Sequence, residues 1–298
     1  MQIEFHADDY GLFPAQSGRI LECAENGVLN AVSVMTNSPN MDVLCRQLPK
    51  SQMTVAVHLN FMEGKALSGH SSAPLLTDKD GTFCLTFGKL LLHSWLPGRS
   101  AWKAQIKQEI RLQIHALQGT MERLGQTACR LDSHAHYHMI PLVFDALMEV
   151  IQEEQLPVCY IRIPKEPLKI YWKNRMKIRG WRLINLIKVA VLNMLACRNE
   201  AIYKGVLQGQ EHKVFLGVML SGKMCRENVE AILPDALRLA QKQGRGLEIL
   251  AHPGGVTEEE DLKKLTHPDD VSFLSSPDRL LEKDMLKSLS ATATGRSQ

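Results

Sequence analysis

The chain has 298 residues, 45% of them hydrophobic, and a formal net charge of +3. That length suits a single α/β barrel-type domain and can bury a sizeable core, while the charge gives no argument for a nucleic-acid partner. The most apolar stretch, Leu183 to Ala196, is too short to span a bilayer and contains Asn185, Lys188 and Asn193, so no transmembrane segment is expected.

The opening Met-Gln-Ile-Glu-Phe-His has neither a basic n-region nor an apolar h-region, so no signal peptide is expected. Seven cysteines are scattered without a C-x-x-C pair, which argues against a disulfide framework and against a thiolate zinc site. A reducing, cytoplasmic setting fits that usage.

In chain order, a first apolar run covers Ile3–His6, and a helical pattern follows from Ala15 to Glu25, with Gly27 as its stop. A second run, Asn30–Met35, leads to a short helix at Met41–Leu48, and a third run covers Thr54–Leu59. From Asn60 to Ser100 the chain reads as loop-rich, with turn signals at Gly64, Gly69, Pro74, Asp80-Gly81 and Pro97-Gly98. A long helix over Trp102–Leu124 follows, because Ile106, Ile110, Ile114, Leu117, Met121 and Leu124 share one face. Then come a run at Ala128–Leu131, a helix at Leu142–Gln155, a run at Val158–Ile163 and a basic helical region at Lys169–Cys197. Runs at Val214–Met219 and Leu247–Ala251 flank a helix at Asn228–Gln243. Strands alternating with helices imply parallel strands and crossover connections. The expected fold is α/β, a (β/α) barrel that is irregular or incompletely closed, with a doubly wound open sheet as the alternative. One catalytic domain over 1–290 and a disordered tail over 291–298 are expected.

Four of the runs end in polar residues: His6-Ala7-Asp8-Asp9, His58-Leu59-Asn60, the segment Asp132 to His138 (D-S-H-A-H-Y-H), and His252-Pro253-Gly254-Gly255. In a parallel α/β fold all strand C-termini lie on one face, so these endings converge in space. Adjacent buried carboxylates repel each other unless a cation or hydrogen bonds compensate, which suggests one metal ligand beside one general base. The bland alternative is that one of them caps the next helix. His58 alone reads more readily as a hydrogen-bonded core residue, and its matching position reverses that. The three histidines of D-S-H-A-H-Y-H would share one side if extended, and imidazole is a common metal ligand. His252 is placed to donate a proton to a leaving group, and the glycines after it permit a sharp turn or close approach by a ligand.

Together these motifs resemble the YdjC-like (ChbG-type) carbohydrate deacetylases. The family's A-D-D-[FY]-G is similar to Ala7-Asp8-Asp9-Tyr10-Gly11, its H-L-N and E-G to His58-Leu59-Asn60 and Glu63-Gly64, and its H-P-G to His252-Pro253-Gly254. D-S-H-x-H-x-H matches Asp132 to His138, with Ala135 standing where the family often has a further histidine. The resemblance runs from residue 2 to about 290. It implies a barrel-like fold and metal-dependent removal of N-acetyl groups from an amino-sugar carbohydrate, releasing acetate.

By position, the resemblance makes Asp9, His58 and His134 the metal ligands and Asp8 the base that activates the attacking water. His252 becomes the acid on the leaving amine and Arg162 the residue that orients the catalytic aspartate. Tyr10, Asn60, His136 and His138 are the substrate-binding expectations. The family suggests magnesium, whereas two imidazoles and a carboxylate suit zinc or cobalt chemically. An acetylated sugar or oligosaccharide is the expected partner, and a homodimer is compatible with the family.

The rivals are another metal hydrolase, such as a PHP-type phosphoesterase or an amidohydrolase, and a non-catalytic carbohydrate-binding protein on the same fold. The basic segment 165–182 interleaves Trp172 and Trp181 with lysines and arginines. It reads first as a solvated helix face beside a packed apolar one. Covering the substrate, or meeting an anionic substrate, a membrane surface or a partner, is its functional alternative.

Overall fold

A computed structural model describes residues 2–49, 53–206 and 210–289, so the expected tail at 291–298 lies outside the described residues. The strands are β1 (Ile3–Tyr10), β2 (Ala31–Met35), β3 (Thr54–Leu59), β4 (Cys129–Ser133), β5 (Val158–Ile161), β6 (Lys213–Leu216) and β7 (Gly246–Ala251). They form one parallel sheet in the order β5-β4-β3-β2-β1-β7-β6.

The sheet curls into an incomplete barrel, as the sequence pattern anticipates. Side chains from opposite parts of the sheet meet inside it: Arg130 on β4 reaches Glu4 on β1, and Tyr160 on β5 reaches Glu248 on β7. β5 and β6 do not pair, but the Glu211 N–H donates to the Cys159 carbonyl at 3.0 Å just before β6 begins. The twist of a parallel sheet brings its edges round, and helix Leu183–Val206 makes the connection across the seam.

The expected elements recur with shifted ends. The first helix starts at Pro14, whose fixed φ suits a first turn, and the long helix runs Arg99–Arg123. The loop-rich residues 60–100 contain two short helices, Gly69–Ser72 and Phe87–His93. The segment is also tied down, because buried Glu109 accepts the Leu67 and Ser68 N–H groups at 3.0 and 2.9 Å. The basic helical region comprises two helices, Leu168–Lys173 and Leu183–Val206, broken near Gly180 at φ +80°.

After β7 come helices Pro268–Leu274 and Asp278–Ser288. A small apolar cluster of Leu12, Phe13, Met35, Val256, Leu265 and Leu274 fastens this segment over the ends of β1 and β2. Glu63 adds a polar tie by accepting the N–H groups of Thr266 and His267 at 2.6 and 3.0 Å.

Candidate metal centre and active site

In a regular strand consecutive side chains point to opposite faces, so Asp8 and Asp9 should diverge. The β1–β2 register shifts between Ala7 and Tyr10, and Asp9 adopts φ +66°. This bulge turns both carboxylates toward the barrel mouth, and Gln16 holds it by donating to the Asp9 carbonyl at 2.9 Å. A left-handed, non-glycine residue in a buried strand is costly and is a mark of functional sites. Neither aspartate caps the next helix, whose N-cap is Phe13 without any side-chain bond.

Asp9 Oδ1 lies 2.7 Å from His134 Nδ1 and 3.2 Å from His58 Nε2. One donor atom from each of these three buried residues falls within 4.8 Å of the others, close enough to share a cation. The opposite ring nitrogen of each histidine is held by a carboxylate. His58 Nδ1 is 2.6 Å from Asp132 Oδ1, and His134 Nε2 is 3.0 and 2.9 Å from the two Asp270 oxygens. Such carboxylate–histidine pairs orient metal-binding imidazoles and raise their basicity.

Burial alone would raise the Asp9 carboxyl, but the flanking His134 and His58 hold it well below the usual carboxylate range. Burial alone would lower both imidazoles. Instead Asp8 and Asp132 carry His58 up to about 9, and Asp270 and Asp9 carry His134 well above its ordinary value. The cluster therefore draws positive charge, and a divalent cation can replace those protons. Two buried atoms, Asp9 Oδ2 and His58 Nε2, have no hydrogen-bond partner among the described residues. Both are metal-donor atoms, so the residues fit a divalent metal.

Beside the cluster, Arg162 Nη1 lies 3.0 and 2.9 Å from the two Asp8 oxygens, and Nε donates to Glu248 at 2.7 Å. Arg162 is fully buried, and its Nη2 also lies 3.0 Å from Asp132. One guanidinium thus fixes both the Asp8 carboxylate and the carboxylate that orients His58. Asp8 Oδ2 stands 3.9 Å from His58 Nε2.

A family model described as YdjC-like protein matches residues 2–294. The chain belongs to the YdjC-like family. A zebrafish (Danio rerio) carbohydrate deacetylase is 25% identical over 94% of this chain and 90% of its own length. A Proteus mirabilis chitooligosaccharide deacetylase is 29% identical over 51% of this chain and 56% of its own. A solved structure, that of a proposed cellobiose-phosphate cleavage protein of Enterococcus faecalis, has the same fold: TM-score 0.60, 17% identity, 96% of this chain and 95% of that one. Family membership and the ligand cluster together support a metal-dependent hydrolase.

The remaining residues of this YdjC-like chain divide in two. His252 follows β7, where Ala251 pairs with Ala7, so it stands beside Asp8 at the mouth. Its N–H donates to Glu282 at 2.5 Å, and its ring meets the Phe273 ring at 4.9 Å between centroids. His136 adopts φ +58° and leaves Nδ1 without a partner. Burial, with Arg162, His138 and His252 nearby, keeps its imidazole neutral.

The other three expected substrate residues have polar atoms bound within the protein. The Tyr10 hydroxyl is spent on the Leu44 carbonyl at 2.8 Å, deep in the core. Asn60 holds its own loop, accepting from Met62 and Glu63 N–H at 2.9 and 3.0 Å. Both His138 nitrogens are taken, by Ser133 Oγ at 2.6 Å and the Arg162 carbonyl at 2.7 Å.

The H-x-H-x-H segment is not extended. Residues His134–Met139 form a tight turn with Ala135 and His136 left-handed, so the three histidines part company. The glycines after His252 serve packing rather than a ligand. A Cβ on Gly254 would meet the Gln16 carbonyl at 2.7 Å, and one on Gly255 would meet Arg279 at 2.7 Å. Asp132, Asp270 and Glu248 are the site residues that sequence reasoning left unassigned. Asp132 stood in plain view within D-S-H, while Asp270 had no local signal.

Proposed function

We propose that this protein is a carbohydrate deacetylase that hydrolyses the N-acetyl group of an acetylated amino sugar and releases acetate. The supporting observation is the Asp9–His58–His134 cluster, with its unpartnered donor atoms, directly beside an aspartate clamped by arginine. The full-length likeness to a carbohydrate deacetylase directs that chemistry to a sugar amide.

When bound, a divalent metal supplies Lewis acidity that polarises the acetamide carbonyl and lowers the pKa of water. Asp8, oriented by Arg162, accepts the proton of the attacking water. His252 donates a proton to the departing amine. His136, neutral and with a free Nδ1, offers a hydrogen bond to the sugar. Asp132 and Asp270 hold the two metal-binding imidazoles in register. The proposed domain is a single catalytic unit, and zinc, cobalt and magnesium are the metals to compare.

The test is acetate release from N-acetylglucosamine oligomers by metal-stripped protein, with each metal added back in turn. Metal-dependent acetate is expected. Turnover of phosphate esters without acetate release would transfer the site to a phosphoesterase, and sugar binding with no turnover would make it a binding protein.

A further inference from the structure

Helix Leu183–Val206 buries a stripe of Asn185, Val189, Leu192, Leu195, Ala196, Asn199 and Tyr203. The rest of its first turns is apolar and open to solvent, with Leu183 73%, Ile184 56% and Ile187 52% exposed. Lys188 is the single charge between Leu183 and Cys197. A helix apolar on nearly every face is normally enclosed, and this one is not. The preceding segment continues the pattern, with Trp172 70% and Met176 88% exposed. Leu280 and Leu281 add to it beside Asp278, which accepts from Arg182 at 2.6 Å. This many large apolar side chains exposed along one stretch of chain mark an interaction site.

The same stretch is strongly basic. Between Pro167 and Asn199 there are eight lysines and arginines and no aspartate or glutamate. Of the acids that face it from neighbouring helices, Asp235 is engaged by Lys173 and Asn174 and Asp278 by Arg182 and Lys223, while exposed Glu227 stands near Arg179 without an ion pair among the described residues. Lys169, Arg175, Lys177, Arg179 and Lys188 make no ion pair among the described residues and are exposed. Arg175 lies over the Trp172 ring at 4.8 Å.

We infer that this face is a docking surface for an anionic lipid bilayer. Apolar side chains need a hydrocarbon-like partner, and the unpaired bases around them need negative charge. A bilayer of acidic lipids offers both at one boundary, with tryptophan at headgroup level. A second copy of the chain would bring two predominantly basic surfaces together, so charge works against self-association there. No helix among the described residues is long and apolar enough to cross a membrane, so the contact lies on the bilayer rather than through it.

The experiment is co-sedimentation of the full chain with vesicles of phosphatidylglycerol and phosphatidylcholine in equal parts, and with phosphatidylcholine alone. Binding is expected to the first and much less to the second. Lys177→Glu with Arg179→Glu should weaken it by about tenfold or more, since each basic residue near an acidic surface is worth about fivefold. Ile184→Glu with Ile187→Glu should abolish it while the thermal midpoint and activity on soluble substrate stay unchanged. Protein left in solution at every lipid composition would overturn the inference. So would a stable dimer in light scattering that Ile184→Glu with Ile187→Glu dissolves, because the face would then belong to a second copy.

Discussion

Three buried groups inside this barrel bring ligand atoms close enough to hold a cation; one of them, His6, Asp8 and Asp132, shares His6 with the deepest, and the two that share no residue differ in what they leave undone. At the mouth, Asp9, His58 and His134 leave two donor atoms without partners. Deeper in, Glu4, His6 and Glu248 form an equally tight group. There Glu4 is met by Arg130 at 2.9 and 2.7 Å and by Lys213, while Glu248 is met by Arg162 and the Tyr160 hydroxyl. Burial would raise the Glu4 carboxyl, but His6, Arg130 and Lys213 hold it far below the usual range. The deeper cluster already contains its cations as side chains. Proximity of ligand types is therefore not the sign of a metal site; acceptors left over after the protein's own charges are matched are the better sign.

The largest effect should come from the mouth. Asp8→Asn is expected to cut turnover by about 10²- to 10⁴-fold with metal content unchanged, whereas His58→Ala should lose both. Metal analysis beside acetate release separates the two. Metal loss in Asp8→Asn would place that aspartate among the ligands. The deeper cluster should answer in stability instead. Arg130→Met removes a cation from a buried carboxylate and should cost about 3 kcal/mol in urea unfolding. Metal affinity should not move. A fall in affinity would mean the two clusters are not separable.

A pH effect distinguishes His138 from the ligands. Burial lowers its imidazole to about 4 from an ordinary 6.5. The unfolded chain then binds the extra proton first, so the stability from this residue is complete above pH 6.5 and falls as pH drops toward 4. About 3 kcal/mol should disappear over that window, and His138→Gln should flatten the slope by that amount. An unchanged slope would show that His138 is not held neutral.

The strands and their polar ends were legible because buried parallel strands are short apolar runs and their C-termini share a face. That logic placed Asp9, His58 and His134 within reach of one another before any coordinates. It could not tell which neighbours turn inward. Tyr10 and His138 sit among the motifs yet spend their polar atoms in the core, because the Asp8–Asp9 bulge and the turn after Ser133 set their directions. Those features depend on pairing with another strand and on φ values that no periodicity encodes. The basic segment was legible as a charged face turned outward, and Lys169, Arg175, Lys177 and Arg179 are exposed, but the apolar exposure of the helix that follows it depends on packing that composition does not encode.

The smallest effect concerns Asp270, which lies 136 residues from His134 in sequence and meets it only through the late helix Pro268–Leu274. It holds His134 as Asp132 holds His58, but the supports differ. Asp132 is braced by Ser33 and Arg162 on a central strand, whereas Asp270 rides on a short helix fastened by one small apolar cluster. Asp270→Asn keeps the shape and a hydrogen bond but removes the charge that makes the imidazole a better donor. Metal affinity should fall about 10- to 100-fold, read by competition with a chelator, with turnover restored at high metal. Failure of excess metal to restore turnover would give Asp270 a part in the reaction itself. An unchanged affinity would mean that His134 is oriented by Asp9 and its own turn alone, so the late helix would only cover the site.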